Sequence, residues 1–307
     1  MPVPTDRIAI VIPTIGRCDE LRRMLESLAE QTRLPDQVVI VDEGGEGKTL
    51  ARQFPQLNIS VTTFPRGSAS AKRNRGVQCV APEIELIGFM DDDIVLEPQA
   101  LAAMRDFWLS SPPDLGGASC NLVNHPPLCA SRLKSLSFAS QLALYDARGG
   151  VVLRSGFHTL LGYVSQTQYV QWLPSTAVVY HRRVLAEHSF DEWYQGYSYL
   201  EDLDFSYSIS RKYELAVLAG ARFCHYPSQI GRADPYLFGK KEVVNRLYFV
   251  RKHPELSPAW CAFALAVRAL MSVILGVTRL EVAYFRRAWG NLVALLSSLT
   301  HGLEPVA

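Results

Sequence analysis

Along the first 120 positions, apolar residues come in short continuous runs, separated by stretches in which they recur every third or fourth position. The runs are 8–12 (IAIVI), 38–41 (VVIV), 58–63 and 84–90. They read as strands, and continuous rather than alternating apolar character marks strands buried on both faces. Leu21, Met24, Leu25 and Leu28 set out a helix over 18–31, and Ser68 stands as the cap of a helix over 68–77. Pro98 reads as the first residue of a further helix, with Leu101, Met104 and Trp108 as its apolar stripe. Strands and helices in alternation predict an α/β fold, a Rossmann-like, mostly parallel sheet with helices on both faces.

The pattern is less regular over 121–200. Residues 128–145 have helical character, and 175–180 reads as a strand entering a helix at 182–187. A helix over 201–212 carries acids in its first turn, where the helix dipole favours them, and 215–224 is another strand. From Tyr236 the chain is helical throughout, so a main domain over 1–235 and a C-terminal helical appendage over 236–307 are expected. Within the appendage, 259–278 is a 20-residue, mostly apolar run, long enough to cross a bilayer. Arg268 at its centre costs about 2.5–3.5 kcal/mol on insertion scales. Arg279, Arg286 and Arg287 follow, and Tyr284, Trp289, Leu292, Leu295 and Leu296 offer a second apolar face. The reading adopted is peripheral membrane contact through 256–300, by helices lying in the interface. A soluble pair packed on the domain and a true span are the alternatives.

Charge sharpens this division. A net charge of +1 argues against nucleic acid as a bulk electrostatic partner. From Tyr236 onward nine Lys/Arg stand against four Glu, a balance of +5, which leaves 1 − 5 = −4 for residues 1–235. An acidic body with a basic, apolar tail suits an anionic membrane surface. Hydrophobic content of 48% excludes a disordered chain. Cys18, Cys79, Cys120, Cys129, Cys224 and Cys261 form no CxxC pair and read as small buried hydrophobes in a reducing compartment. The opening MPVPTDR lacks a charged-then-apolar leader, so a cytoplasmic location is expected.

GFMDDDIV, over 88–95, puts three carboxylates directly after the fourth apolar run. Side by side they repel one another, unless a hard cation sits among them. Mg²⁺ or Mn²⁺ prefers carboxylate oxygens and keeps positions open for phosphates; the plain alternative is a solvated acidic turn. Ligands of open α/β sheets bind at the carboxyl ends of the strands. Four such ends carry Pro13-Thr14, Asp42-Glu43, the loop before Arg73-Asn74, and Asp91-Asp92-Asp93. Together these suit a nucleotide, with Asp42 accepting from base or ribose, and Thr14, Arg17 and Arg73 meeting base or phosphate. A second acidic centre is LEDLD, over 200–204, where a helix N-terminus favours anions and so suits a base.

The order IPTIGR, VIVDEGG, GSASAKRNRGV, GFMDDDIVL, then WLPSTAVVYHRRVL, YLEDLDFSYSISRKY and the His of ARFCHYPS resembles glycosyltransferase family 2, over 7–226. The resemblance implies the GT-A nucleotide-sugar fold, with a nucleotide-binding half at 1–120 and an acceptor-binding half at 121–235. It implies that Pro13, Thr14, Arg17, Asp42, Arg73, Asp91, Asp92 and Glu201 bind the nucleotide sugar. Asp91 and Asp93 take the positions of the family's Asp-x-Asp motif, with Asp93 nearest a Mg²⁺ or Mn²⁺ ion and His225 a further ligand. Asp202 matches the catalytic base, Glu201 and Asp204 its supports, and 174–177 lies beside the transferred sugar. Glu43 and Gly44 depart from the Asp-Gly-Ser of many relatives. Trp172 and Trp193 read either as core or as sugar platforms. The implied activity is metal-dependent, inverting transfer from a nucleoside diphosphate sugar to a glycan or lipid-linked glycan acceptor, in surface polysaccharide biosynthesis. Two other readings compete. DDDIV also fits the Asp-x-Asp-x-Val of haloacid dehalogenase-type phosphohydrolases, although there the motif ends the first strand and here three strands precede it. A catalytically silent sugar-nucleotide-binding module has little need of the acidic pair Glu201-Asp202.

Overall fold

A computed structural model of the chain describes residues 6–125, 144–196, 198–228, 234–300 and 302–306. The four apolar runs are strands β1 (Ile8–Thr14), β2 (Gln37–Asp42), β3 (Ile59–Thr63) and β4 (Leu86–Met90). They pair in parallel in the order β3-β2-β1-β4. Ile8–Ile12 and Val38–Val41 are wholly excluded from water, as continuous apolar strands covered on both faces must be. The chain between them forms α1 (Cys18–Ala29), α2 (Gly47–Ala51) and α3 (Ala69–Gln78). α1 buries Leu21, Met24, Leu25 and Leu28 on one stripe, and the Ser68 hydroxyl caps α3 by accepting from the Ala71 N–H at 3.2 Å.

The helix α4 (Ala100–Ser110) begins later than the proline suggested, with Gln99 as its N-cap. The Pro98 carbonyl instead accepts from the Thr32 N–H at 2.9 Å, which fixes a turn ahead of the helix. The expected stripe of Leu101, Met104 and Trp108 is buried.

Beyond β4 the sheet becomes mixed. Strands β5 (Ile94–Leu96), β6 (Leu115–Leu122), β7 (Gln168–Val170), β8 (Ala177–His181) and β9 (Glu214–His225) continue it as β4-β8-β6-β9-β5, with β7 also on β9. β8 runs antiparallel to β4 and β6, and β5 and β7 run antiparallel to β9. Only β6 and β9 pair in parallel here, so the expected parallel pairing describes the first four strands and the α/β sheet as a whole is mixed. Helices α5 (Arg182–Glu187) and α6 (Glu201–Ser210) follow β8. The helical stretch expected at 128–145 falls almost wholly outside the described residues.

The chain divides into two compact units. The first, residues 1–128, 162–191 and 202–230, holds the whole sheet. The second, residues 129–161, 192–201 and 231–307, contains α7 (Pro235–Lys252), α8 (Pro258–Arg279) and α9 (Val282–Thr300). Asp234 caps α7 and Ser257 caps α8. α7 and α9 meet backbone to backbone: a Cβ on Gly239 would lie 2.2 Å from the Arg287 carbonyl oxygen, and one on Gly290 2.2 Å from that of Tyr236. Glu242 of α7, 2% exposed, accepts from Arg268 of α8 at 3.1 Å, from Arg287 of α9 at 2.7 and 3.0 Å, and from Asn291 at 3.1 Å.

Candidate active site

Parallel pairing brings the ends of β1, β2 and β4 to one edge of the sheet, with Thr14 opposite Asp42 in register and Pro13 opposite Val41. The three consecutive aspartates answer their mutual repulsion separately. The Thr14 hydroxyl donates to Asp92 Oδ2 at 2.7 Å and Arg17 Nη1 to Asp92 Oδ1 at 3.0 Å, with Asp93 Oδ2 3.7 Å from the same guanidinium. Burial pushes the Asp92 carboxyl up to about 6, against the pull of Arg17 and Thr14. Arg73 Nη2 donates to Asp91 Oδ1 at 3.0 Å. Burial raises Asp91 as well, against Arg73, while its side chain stays 30% exposed.

Asp93 faces the other way. The strand that follows it, β5, pairs antiparallel with the end of β9 and sets Ile94 opposite His225. Asp93 Oδ1 therefore lies 3.2 Å from His225 Nε2, while its Oδ2 accepts from the Ser228 N–H at 3.0 Å. The Asn124 side chain holds His225 by its backbone, accepting from the N–H and donating to the carbonyl, each at 2.9 Å. The ring of His125 is stacked with that of His225, centroids 6.1 Å apart. Burial raises the Asp93 carboxyl, but the His225 bond, the Ser228 N–H and the charges of His225 and Arg17 outweigh it and leave the group below the usual carboxylate range.

This pair suits a divalent cation. One oxygen and one nitrogen donor stand side by side, from the turn leading into β5 and from the end of β9, with Asp91 partly open two residues away. No group of three His, Cys, Asp or Glu side chains able to hold a metal ion occurs among the described residues. A site of this kind fits an ion that takes one or two protein ligands and completes its shell with water and phosphate oxygens.

Asp202 is the second residue of α6, two positions after Leu200, whose φ of 77° is a strained, left-handed conformation for a leucine. Its Oδ1 accepts from the Leu203 N–H at 2.7 Å. The helix N-terminus alone predicts an easily ionised carboxylate. Burial opposes that and wins, with the charge of Asp91 adding to it and those of the Leu203 amide and Arg73 resisting, so the Asp202 carboxyl is raised. Arg73 is the link between the two acidic centres, paired to Asp91 and felt by Asp202. Its guanidinium lies over Phe190 at 5.4 Å, and the neighbouring Asn74 bridges the Phe190 backbone at 2.9 and 3.0 Å. Phe190 stacks on Phe205 of α6 at 3.9 Å, and Phe205 meets Tyr180 of β8 edge-on at 5.2 Å. Tyr180 is fully buried and its hydroxyl has no hydrogen-bond partner among the described residues. The Thr176 carbonyl accepts from the Asp91 N–H at 3.0 Å, which sets 174–177 alongside the acidic corner.

Other candidate positions are engaged differently. Asp42, 3% exposed, accepts from the N–H groups of Gly44 at 2.8 Å and Gly47 at 2.7 Å, and so shapes the loop after β2. Glu43 pairs with the buried Lys72 at 2.5 Å. Glu201 groups with the second unit and Asp202 with the first. Asp204 is buried, as is Trp172 at 5% exposure. The Trp193 ring lies on Tyr248 at 3.7 Å. Sequence reasoning did not single out Lys72, His125, Asn124, Phe190 or Tyr180. Tyr180 sits in an apolar strand run and carries no signal beyond core, and only the structure reveals its idle hydroxyl.

A mixed α/β sheet with its polar residues gathered at the ends of β1, β2 and β4 has the architecture of the GT-A glycosyltransferases. Residues 9–125, somewhat over a third of the chain, match the family model described as Glycosyl transferase family 2. Over 100 residues the chain is 32% identical to an uncharacterized glycosyltransferase of Bacillus subtilis (strain 168), YwdF, a match that covers 32% of this chain and only 37% of that protein. Among solved structures, it is similar to the mannosyltransferase PcManGT from Pyrobaculum calidifontis in complex with GDP-Man and Mn²⁺, at 14% identity and a TM-score of 0.55, covering 96% of this chain and 86% of that one. It is similar also to S. aureus TarS 1–349, at 17% identity and a TM-score of 0.58 over 96% of this chain and 81% of that one; TarS 1–349 has been solved with UDP as well. At these identities the likeness shows the fold.

Proposed function

We propose that the protein transfers a sugar from a nucleoside diphosphate donor to a hydroxyl of a glycan or lipid-linked glycan acceptor, in one displacement that inverts the anomeric centre. The observation that carries this reading is Arg73, 3.0 Å from Asp91 and within the field of Asp202. One fixed cation between two acidic centres serves both halves of such a reaction. Arg73 opposes the charge that develops on the departing diphosphate, and Asp202 takes the proton from the attacking hydroxyl. A carboxylate raised above its ordinary range holds that proton better, so burial equips Asp202 as a base. Asp93 and His225, with Asp91 beside them, are the side chains that would hold Mg²⁺ or Mn²⁺, which when bound supplies positive charge to the diphosphate. Thr14 and Arg17, through Asp92, fix the floor of the nucleotide site, and Asp42 shapes its rim. The complexes of PcManGT with GDP-Man and Mn²⁺ and of TarS with UDP support a nucleotide-sugar donor. The acceptor is placed at the cytoplasmic membrane face, a reading supported by the apolar, arginine-edged helices of 256–300.

The test is a panel of uridine, guanosine and thymidine diphosphate sugars with Mn²⁺ or Mg²⁺, read by nucleoside diphosphate release. Release is expected with one donor class and is expected to stop when a chelator is added. Inorganic phosphate released from simple phosphate esters without donor would instead favour a phosphohydrolase.

Tyr180 belongs to the same centre. A buried hydroxyl without a partner costs about 1–3 kcal/mol, which a bound acceptor or its water would recover. Tyr180→Phe is therefore expected to slow turnover about tenfold, near 1.4 kcal/mol in the barrier, while melting no lower than the parent. A variant that melts lower at full turnover would make Tyr180 a packing residue only.

A further inference from the structure

Helices α8 and α9 carry their polarity inside out. A helix on the surface of a soluble protein turns charged residues to water and apolar ones inward. In α8 the exposed positions from Pro258 to Val277 hold no charge, and Leu270, Ile274 and Val277 among them are 43–60% exposed. The polar groups are turned inward instead. Arg268 reaches Glu242, Ser272 is 2% exposed and donates to the Arg268 carbonyl at 3.1 Å, and the fully buried Asn291 of α9 donates to the Gly239 carbonyl at 2.9 Å and to Glu242. The hairpin turn places Leu280 88% exposed with φ 55°, and α9 adds Trp289 and Leu296, each 58% exposed. An apolar surface this continuous is not kept in water by a monomer without a partner.

Charge names the partner. Within 258–300 the residues are four Arg against Glu281 alone. Two of the arginines, Arg268 and Arg287, are drawn in by Glu242. Arg279 and Arg286 remain on either side of the turn, Arg279 bonded to the Tyr284 hydroxyl at 2.9 Å and Arg286, 55% exposed, beside Asp234 at 2.8 Å. Aliphatic side chains flanked by Arg, Tyr and Trp match a bilayer interface with anionic headgroups.

We infer that α8 and α9 form a membrane-docking hairpin, lying along an anionic lipid surface with the Leu280 turn in the acyl boundary. α8 is long enough to cross a bilayer, but Glu242 ties it to α7, whose outward Lys240, Arg251 and Lys252 keep that helix out of hydrocarbon. The helix therefore lies along the surface. This inference rests on the helices alone and is independent of the transferase reading.

The test is co-sedimentation of the full chain with phosphatidylcholine vesicles, with and without phosphatidylglycerol. The parent is expected to pellet with the anionic vesicles and at least about tenfold more weakly with the neutral ones, as two surface arginines warrant. Val277→Asp with Leu280→Asp is expected to abolish pelleting, and Leu109→Asp, an exposed leucine of α4, to leave it unchanged. Arg279→Gln with Arg286→Gln is expected to lose only the preference for anionic lipid. Melting curves identify any variant that fails to fold, and Leu270→Ser then replaces it. Binding to neither vesicle overturns the proposal, as does an Asp pair that is folded and pellets like the parent. A lipid-free dimer that the Asp pair dissociates, with no vesicle binding by the parent, assigns the face to a second copy and overturns it too.

Discussion

Asp202→Asn is expected to bind donor as the parent does and to transfer sugar at least about a hundredfold more slowly, the scale on which general bases act. The substitution keeps the shape and the acceptor oxygen that meets the Leu203 N–H at 2.7 Å, so α6 stays anchored while the proton acceptor is lost. Donor binding is expected to persist because Arg73 keeps its 3.0 Å pairing with Asp91. The pH dependence has a definite sign. The base works only when ionised, and burial raises its pKa above the ordinary 3.8. The acid limb of kcat/KM therefore lies above the range of an ordinary aspartate, and it disappears in the Asn variant. Donor titration by calorimetry and initial rates across pH check both parts; an Asn variant with parental turnover removes Asp202 from the chemistry.

How far such a site can be read in advance depends on which interactions are local. β1, β2 and β4 are legible because two-sided burial leaves no room for polar side chains between their ends, and the helix Arg182–Glu187 is legible because it follows a buried strand directly. β6, LGGASCNL, carries two glycines and little aliphatic character, and β5 and β7 are three residues each, too short for any periodicity to register. With β8, which reverses direction beside β4, these strands turn a parallel sheet into a mixed one. They also bring Asp93 to His225, an adjacency that the order of motifs suggested only through resemblance. The same limit holds for charge. An aspartate at a helix N-terminus reads as an easy anion, and only the enclosure of Asp202 reverses the sign. Asp42 reads as a ligand group at a strand end, whereas two loop amides already occupy its oxygens.

Glu242→Ala is expected to destabilise the helical unit by about 3–5 kcal/mol, because it strips the shared counter-charge from two arginines held beside a buried position. Nothing in KKEVVNR distinguishes this glutamate from its exposed neighbours. Its partners lie 26, 45 and 49 residues further on, and only the close approach of α7 and α9 at Gly239 and Gly290 encloses it. Burial would raise its pKa, but the bonds to Arg287, the charges of Arg287 and Arg268, and the Asn291 amide outweigh that and set it below the ordinary 4.5. A carboxylate depressed in the folded state contributes stability that is present above its unfolded pKa and lost as the pH falls through the folded one. The parent is therefore expected to lose stability on acidification below about 4.5, and Glu242→Ala, already lacking this contribution, to show a flatter profile there. Guanidinium midpoints followed by helical circular dichroism at neutral and stepwise lower pH measure both. Arg287→Ala combined with Glu242→Ala is expected to cost less than the sum of the single changes, since the two share one interaction. Strict additivity would show that the helices are held by their backbone crossing and not by the buried carboxylate.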